Sequence, residues 1–175
     1  MEKKLVQGEF GEVWRAVWWR RNGRAIPVAV KLAGAEKLSK EALVEFMGEA
    51  RIMWSLNHPN VVRFHGVAAL KFPLLIATDG SLDAFLKAKQ RDMAMKKELM
   101  TQAAYGIEYL HHKNILHRDV AARNCLVDHG QVKIADFGLS KKGDSYLVPK
   151  KKKVPIRWVS PESLAMRQYT PKTDV

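Results

Sequence analysis

The sequence predicts an α+β fold in which the strands concentrate near the start of the chain. Two apolar, β-branched runs flank a turn-forming stretch there, and two long segments, one in each half of the chain, repeat apolar residues at helical spacing. With 175 residues, nearly half of them apolar, the chain is long enough to form a domain with a sizeable core.

The first elements are the strands of a hairpin. Residues 12–17 and 26–32 are rich in apolar and β-branched side chains, and the stretch between them, residues 21–23, reads Arg-Asn-Gly and favours an antiparallel turn. Alternation along the second strand places Ala29 and Lys31 on the same face. A lysine beside a small residue on a cleft-facing surface suits a phosphate group, and the alternative is a solvated lysine at the edge of the sheet.

The first long helix is predicted over residues 39–56. Its apolar stripe consists of Leu43, Phe46, Met47, Ala50, Met53 and Trp54. Glu49 borders this stripe. Because an unpaired buried carboxylate costs several kcal/mol, Glu49 either has a cationic partner or lies at the rim of the core.

The later elements follow the same reasoning. Residues 74–78 predict a strand, and residues 131–135 predict another that leads directly into Asp136. A second long helix is predicted over residues 92–112, with a core-facing stripe formed by Leu99, Met100, Ala103, Ile107 and Leu110.

The net charge of +12 raises the question of a nucleic-acid or anionic-membrane partner. The lysines and arginines are scattered, however, and the one dense run, residues 150–153, fits a solvated loop better than a nuclear-localisation patch. We therefore expect no specific nucleic-acid partner. The sequence gives no indication of the oligomeric state.

The sequence also constrains the cellular setting. No apolar run is long enough for a transmembrane segment, and the basic start of the chain lacks the apolar region of a secretory signal. Cys125 is the only cysteine, so no internal disulfide is possible, and His111, His112, His117 and Cys125 lack the spacing of a zinc site. These features favour a reducing, cytoplasmic setting.

Two short motifs carry the functional signal: HRDVAARN at residues 117–124 and Asp-Phe-Gly at residues 136–138. In this order and spacing they resemble the catalytic loop and the metal-binding turn of protein kinases, in the tyrosine-specific form. Phosphoryl transfer needs a carboxylate to orient the attacking hydroxyl and oxygen ligands for magnesium. The resemblance implies that Asp119 is the base and that Asn124 and Asp136 are the Mg²⁺ ligands.

The same resemblance implies a two-lobed protein-kinase-like fold and ATP as the phosphate donor. Residues 1–78 would form a small β-rich N-lobe with one helix, and residues 79–175 an incomplete, mainly helical C-lobe. Lys31 and Glu49 match the ion pair that positions the nucleotide phosphates. The other expected nucleotide contacts are the glycine-rich loop and the walls of the adenine pocket, at Gly8, Gly11, Val13, Ala29, Thr78 and Leu126.

The acceptor and the regulation also follow from the resemblance. The Ala-Ala-Arg stretch that ends at Arg123, together with residues 155–158, is similar to the tyrosine-specific kinases, which implies protein substrates with an acceptor tyrosine. Tyr146 lies where activation-loop tyrosines occur, and its phosphorylated form would pair with Arg118. The alternative is an ordinary exposed tyrosine.

The sequence departs from the kinase pattern mildly at Ser160, which replaces the usual alanine before Pro161-Glu162, and more clearly at three other places. Val6 replaces the first glycine of the loop, and Thr78-Asp79 runs directly into Gly80 without the residues that usually hold the adenine edge. The sequence ends where the central C-lobe helix would begin, from which Asp174 would brace the catalytic loop. Two hypotheses stay open: a non-receptor tyrosine kinase with Fes/Fer-like motifs, and a truncated, inactive kinase-like remnant acting as a binding module.

Overall fold

A computed structural model describes residues 3–8, 11–32, 40–67, 74–75, 92–149 and 155–175. The chain divides into two compact units. The first unit consists of Met1–Asn57 and Val62–Asp79, and the second of His58–Val61 and Gly80–Val175.

The first unit is built on a four-stranded antiparallel sheet with strand order β1-β2-β3-β4. Its strands are β1 (Lys3–Gly8), β2 (Gly11–Trp19), β3 (Ala25–Leu32) and β4 (Leu74–Leu75). The predicted hairpin is therefore confirmed as β2 and β3. The predicted strand at residues 74–78 is described only at its first two residues, because residues 76–78 lie outside the described ranges.

The two faces of this sheet differ in character. Val13 pairs with Lys31 across the β2–β3 ladder, so these side chains and Ala29 share one face. On the other face, an apolar cluster is formed by Trp14, Ala16, Ile26, Val28, Val30 and Leu32. One face of the sheet therefore packs in an apolar core, and the opposite face carries Lys31.

Helix α1 (Lys40–Trp54) follows in the first unit and buries Phe46, Glu49, Ala50, Ile52 and Met53. The prediction was wrong for the two ends of the stripe. Leu43 is 44% exposed and Trp54 is 74% exposed, because burial begins only at Phe46 and Trp54 lies outside the face that contains Met53. The Trp54 ring instead meets the ring of Phe64 edge-on, with centroids 5.9 Å apart.

The second unit contains the long helix α2 (Met93–His112), close to its predicted bounds. Asp92 caps the helix, because its carboxylate accepts a hydrogen bond from the Met95 amide. Leu99, Ile107 and Leu110 are buried as expected, whereas Met100 is 70% exposed and was wrongly assigned to the core. Met100 lies at the edge of the stripe, one position past the buried Leu99.

Short strands and turns complete the second unit. The strand pairs are β5 (Ile115–Leu116) with β8 (Lys141–Lys142), β6 (Cys125–Asp128) with β7 (Gln131–Ile134), and β9 (Tyr146–Leu147) with β10 (Gln168–Tyr169). The remaining elements are helix α3 (Pro161–Met166) and 3₁₀ turns at Ala122–Asn124, Ile156–Trp158 and Pro171–Asp174. Fully buried side chains hold them together, among them Leu110, Ile115, Leu116, Val132, Ile134 and Phe137.

The segment His58–Val61 is fastened to strand β7. The Ile134 amide donates to the Asn60 carbonyl at 2.9 Å, and the Asn60 side-chain amide donates to the Val132 carbonyl at 2.9 Å. Val61 adds an isolated parallel bridge to Ile134. Among the described helices, none combines the length and the apolar character that crossing a membrane requires.

Candidate active site

An ion pair in the first unit joins strand β3 to helix α1. The Lys31 ammonium lies 3.1 and 2.9 Å from the two Glu49 carboxylate oxygens. The side chains of Lys31 and Glu49 are only 16% and 5% exposed. Glu49 is therefore a buried carboxylate that has a cationic partner, and both partners are largely removed from water.

The other nucleotide-contact candidates of the first unit lie on the same sheet. Gly8 pairs with Gly11 at the end of the β1–β2 hairpin, and Val13 and Ala29 lie on the Lys31 face. Thr78 falls outside the described residues. Leu126, the remaining candidate, belongs to the second unit, where it is partly buried in β6 opposite Lys133.

Asp119 is the centre of a hydrogen-bonded cluster in the second unit. The 3₁₀ turn Ala122–Asn124 brings Arg123 and Asn124 back to it. Arg123 donates to one Asp119 carboxylate oxygen, and the Asn124 amide donates to the other at 2.7 Å and to the Asp119 carbonyl at 2.9 Å. Because both acceptors are oxygens, the Asn124 nitrogen faces Asp119 and its side-chain oxygen stays available as an acceptor.

His117 connects this cluster to the Asp-Phe-Gly segment. Its Nε2 lies 3.1 Å from the Ala135 carbonyl, and its Nδ1 lies 3.3 Å from the Asp119 amide nitrogen. Complete burial lowers the pKa of His117, so the neutral ring donates from Nε2 and accepts at Nδ1. The rings of His117 and Phe137 meet edge-on with centroids 5.2 Å apart.

Asp136 follows Ala135 at the end of this connection. The Ala135 amide donates to the Asn124 carbonyl at 2.8 Å, which fixes the two candidate metal ligands on adjoining backbone segments. Asp136 is exposed and has a positive φ of 62°. The Asn124 side-chain oxygen and the Asp136 carboxylate are the hard oxygen donors that Mg²⁺ prefers, so this donor set fits that ion.

Asp174 holds the backbone of the predicted catalytic loop at His117 and Arg118. Its two carboxylate oxygens accept hydrogen bonds from the amides of His117 and Arg118, each at 2.7 Å, and one of them lies 3.2 Å from His111 Nε2. Arg118 has a φ of 70°, a conformation that is rare for a bulky residue. The brace expected from the family resemblance is thus present, and it stabilises a strained loop.

The Arg118 side chain lies between two tyrosine rings. Its guanidinium carbon is 4.2 Å from the Tyr146 ring centre and 4.6 Å from the Tyr169 ring centre. It also donates to the Leu139 carbonyl at 2.7 Å. Sequence reasoning anticipated Tyr146 but missed Tyr169, because only the pairing of β9 with β10 brings the two rings together.

Comparison with known proteins shows which family this chain belongs to. The model of the protein tyrosine and serine/threonine kinase domain matches residues 1–175. Tyrosine-protein kinase Abl of Drosophila melanogaster is 41% identical over 185 residues, which cover 100% of this chain and 11% of that protein. Fer-related kinase 1 of Caenorhabditis elegans is 41% identical over 178 residues, covering 99% of this chain and 45% of the relative. The transforming protein Fps of an avian sarcoma virus is 38% identical and is covered to 34%.

The chain belongs to the protein tyrosine and serine/threonine kinase family. Its relatives are non-receptor tyrosine kinases, as expected from the sequence motifs, and the predicted α+β kinase fold with a small β-rich N-lobe is confirmed. Abl-type and Fer-type relatives match at the same identity of 41%, so the Fes/Fer-like motifs do not separate the two groups. The chain spans less than half the length of each of these relatives.

Proposed function

We propose that this chain is an ATP-dependent protein-tyrosine kinase that transfers the γ-phosphate of ATP to tyrosine hydroxyls in proteins. The observation that carries the proposal is the Asp119 carboxylate, held on one oxygen by Arg123 and on the other by Asn124. Each carboxylate oxygen has two lone pairs, so one on each stays available after these bonds. Asp119 is therefore oriented to accept the proton of an incoming hydroxyl.

The proposed metal ligands are Asn124 and Asp136. A bound Mg²⁺ would neutralise charge that develops on the phosphate oxygens. Asn124 is held for this role by its two hydrogen bonds to Asp119, which leave its side-chain oxygen as the ligand. The role of Asp136 as a ligand is supported by the hydrogen bond from the Ala135 amide to the Asn124 carbonyl. This bond holds the backbone next to Asp136 close to the backbone of Asn124.

In the first unit we assign Lys31 to the nucleotide phosphates and Glu49 to the positioning of Lys31. The two short Nζ–O distances fix the ammonium of Lys31 on strand β3. Gly8 and Gly11 would let the backbone approach the phosphates, since neither carries a Cβ. Val13, Ala29, Thr78 and Leu126 remain proposed adenine contacts.

Tyrosine as the acceptor is supported by the contacts of Arg123. Its guanidinium pairs with Asp119 and also lies over the ring of Trp158, 5.5 Å from the ring centre. The Ala-Ala-Arg stretch and the segment at residues 155–158 are thus physically connected, and both carry the tyrosine-type sequence. A cytoplasmic setting is proposed on the strength of the single buried thiol, Cys125.

The proposal is tested with purified chain, Mg²⁺, ATP and a tyrosine-containing peptide. We expect phosphotyrosine to form and Asp119→Asn to lower the turnover by at least about 100-fold, the lower range for a proton-transferring group. Lys31→Met should also lower it by at least about 100-fold, the range for losing a group that stabilises developing charge. Matched controls are Asp128→Asn and Lys96→Met, which make the same chemical changes in the second unit away from the Asp119 cluster.

Two outcomes would contradict the proposal. Absence of phosphotyrosine, together with no thermal shift on adding Mg²⁺ and ATP, would favour the inactive kinase-like binding module. Equal losses in the control variants would show that the activity depends on general stability and not on Asp119 or Lys31.

We propose further that phosphorylation of Tyr146 regulates the activity. A phosphate adds a charge of about −1.5 to −2 beside Arg118 and Lys141, whose cationic groups already lie near the Tyr146 ring. We expect preincubation with ATP to raise the initial rate of the unmodified chain but not of Tyr146→Phe. Tyr105→Phe, on the exposed side of α2, is the control and should still be activated by ATP. Loss of activation in Tyr105→Phe would argue that Tyr146 is not the regulatory tyrosine.

A further inference from the structure

The end of the β2–β3 hairpin concentrates exposed aromatic and cationic side chains. Trp19 is 69% exposed and Trp18 is 38% exposed, and the turn beyond them exposes Arg21 and Arg24. We call residues 18–24 the hairpin tip. Along the sequence, the nearest acidic residues on either side are Glu12 and Glu36, so the whole hairpin tip carries positive charge only.

The backbone of the hairpin tip is fixed by its own hydrogen bonds. The Arg20 amide donates to the Arg24 carbonyl at 2.9 Å, and the Gly23 amide donates to the Arg20 carbonyl at 2.9 Å. The Arg24 amide adds a bond to the Asn22 side chain, and Gly23 supplies the positive φ of 75° that the turn requires. A preorganised turn loses little conformational entropy when it binds a partner.

The base of the hairpin tip is also cationic. The Arg20 guanidinium carbon lies 5.2 Å from the Trp18 ring centre, and the Trp18 ring lies 5.3 Å from the ring of His65. Burial lowers the pKa of His65, and the charges of Arg63 and Arg20 lower it further. The lowered pKa favours the neutral form of His65, so the positive charge behind the turn is that of Arg20 and Arg63.

We infer that the hairpin tip is a peripheral docking site for anionic phospholipid surfaces, with Trp19 entering the headgroup region and Arg21 and Arg24 contacting lipid phosphates. Tryptophan suits this depth because one part of its ring is apolar and its N–H is polar. Membrane binding of such a segment scales with the apolar area that enters the interface and with the attraction of its cations to anionic lipids, and the hairpin tip contributes to both.

The size of the hairpin tip favours a lipid surface over other anionic partners. A stable protein interface uses about 20–30 residues on each side. Single-stranded nucleic acid is held along grooves of about 4–16 nucleotides with several stacking side chains. Seven residues with one strongly exposed tryptophan provide neither, whereas a headgroup layer accepts a narrow projection. The overall charge alone gave no reason to expect this, because it does not show which cations lie beside exposed tryptophans.

The test measures how much of the 175-residue chain sediments with lipid vesicles at about physiological ionic strength. One set of vesicles is pure phosphatidylcholine, and the other also contains about 30% phosphatidylserine, which makes its surface anionic. We expect binding only to the anionic vesicles. Arg21→Ala with Arg24→Ala should weaken it about 25-fold, because each arginine near such a surface contributes about fivefold. Trp19→Ala should weaken it about tenfold by removing the apolar anchor.

Matched controls separate the hairpin tip from charge in general. Lys96→Ala with Lys97→Ala removes two exposed cations from α2, and Trp54→Ala removes another exposed tryptophan of the first unit. Both should bind within about twofold of the unchanged chain, as expected for surface changes away from the contact. Thermal unfolding of every variant checks that it is folded.

Three results would overturn the inference. The first is equal affinity for vesicles with and without phosphatidylserine. The second is an equal loss in the Lys96/Lys97 variant, which would show that binding follows net charge. The third is binding to polyuridylate that requires the hairpin tip while vesicles do not bind, which would assign the surface to nucleic acid.

Discussion

Asp174 shows how one buried carboxylate can determine the backbone geometry of the proposed catalytic loop. Its two oxygens accept hydrogen bonds from the consecutive backbone amides of His117 and Arg118. Arg118 has a left-handed backbone conformation. Such a conformation costs on the order of 1–3 kcal/mol and persists only where surrounding contacts enforce it. Asp174 supplies those contacts from the 3₁₀ turn Pro171–Asp174.

Replacing Asp174 by asparagine should destabilise the second unit. The asparagine retains one accepting oxygen and turns a donor nitrogen toward an amide that is itself a donor. We expect the free energy of unfolding to fall by about 2–3 kcal/mol, as found for buried charge-assisted hydrogen bonds. Urea unfolding followed by circular dichroism measures it. Asp128→Asn, whose carboxylate is 25% exposed, should cost less than about 0.5 kcal/mol, and similar losses for both variants would refute the brace.

At the scale of single residues, local sequence rules predicted fewer side-chain contacts than the family resemblance did. Helical spacing places Glu49 beside an apolar stripe, but only the resemblance indicated Lys31 as its partner, and the structure contains that ion pair. The contact of Arg118 with Tyr169 could not be predicted by either route, since it depends on the pairing of two-residue strands that have no periodic signal.

At the scale of elements, periodicity identified both long helices but overestimated their buried faces. Leu43, Trp54 and Met100 have the correct spacing and are nevertheless exposed. Spacing shows which residues share a side of a helix, whereas burial depends on how much of that side, around the helix and along it, the neighbouring elements cover. Those lengths are set by tertiary packing, so a sequence pattern cannot supply them.

Helix α2 approaches its neighbours closely at Gly106. A Cβ at this position would lie 2.5 Å from the Asn60 carbonyl oxygen and 2.7 Å from Ile134 Cγ1. The first of these atoms is backbone and belongs to the segment that is hydrogen-bonded to β7. The helix can therefore pack here only because residue 106 has no side chain.

Gly106→Ala should destabilise the second unit although alanine favours helices. Overpacking costs about 1–3 kcal/mol, which exceeds the gain in helix propensity of up to about 1 kcal/mol. Gly48→Ala in α1 is the matched control, because nothing lies within 4 Å of its added Cβ. The control should gain up to about 1 kcal/mol in urea unfolding. Stabilisation by both substitutions would show that the close approach at Gly106 is absent in solution.

At the scale of the whole molecule, the fold class was predictable because two motifs identify the family, and the family specifies the arrangement of elements. The places where this chain departs from the family pattern could not be predicted from the family. The shortened connection after Thr78 lies outside the described residues, so the expected adenine contacts there stay predictions. The hairpin tip has no counterpart among the motifs, and its significance depends on exposures that only the folded chain defines.

The single cysteine makes the folding of the second unit measurable in the intact chain. Cys125 is buried in β6, and burial raises the pKa of its thiol to about 11. At pH 8 the thiolate is then about 100-fold scarcer than for a solvated thiol with a pKa of about 9, and the thiolate is the reactive form. We therefore expect Cys125 to be alkylated more slowly in the native chain than in the urea-unfolded chain by at least the ratio of the two thiolate fractions. Burial of the thiol slows the reaction further, because it blocks access of the reagent. Rapid alkylation without denaturant would show that β6 opens readily, and Gly106→Ala should shift the protein in that direction.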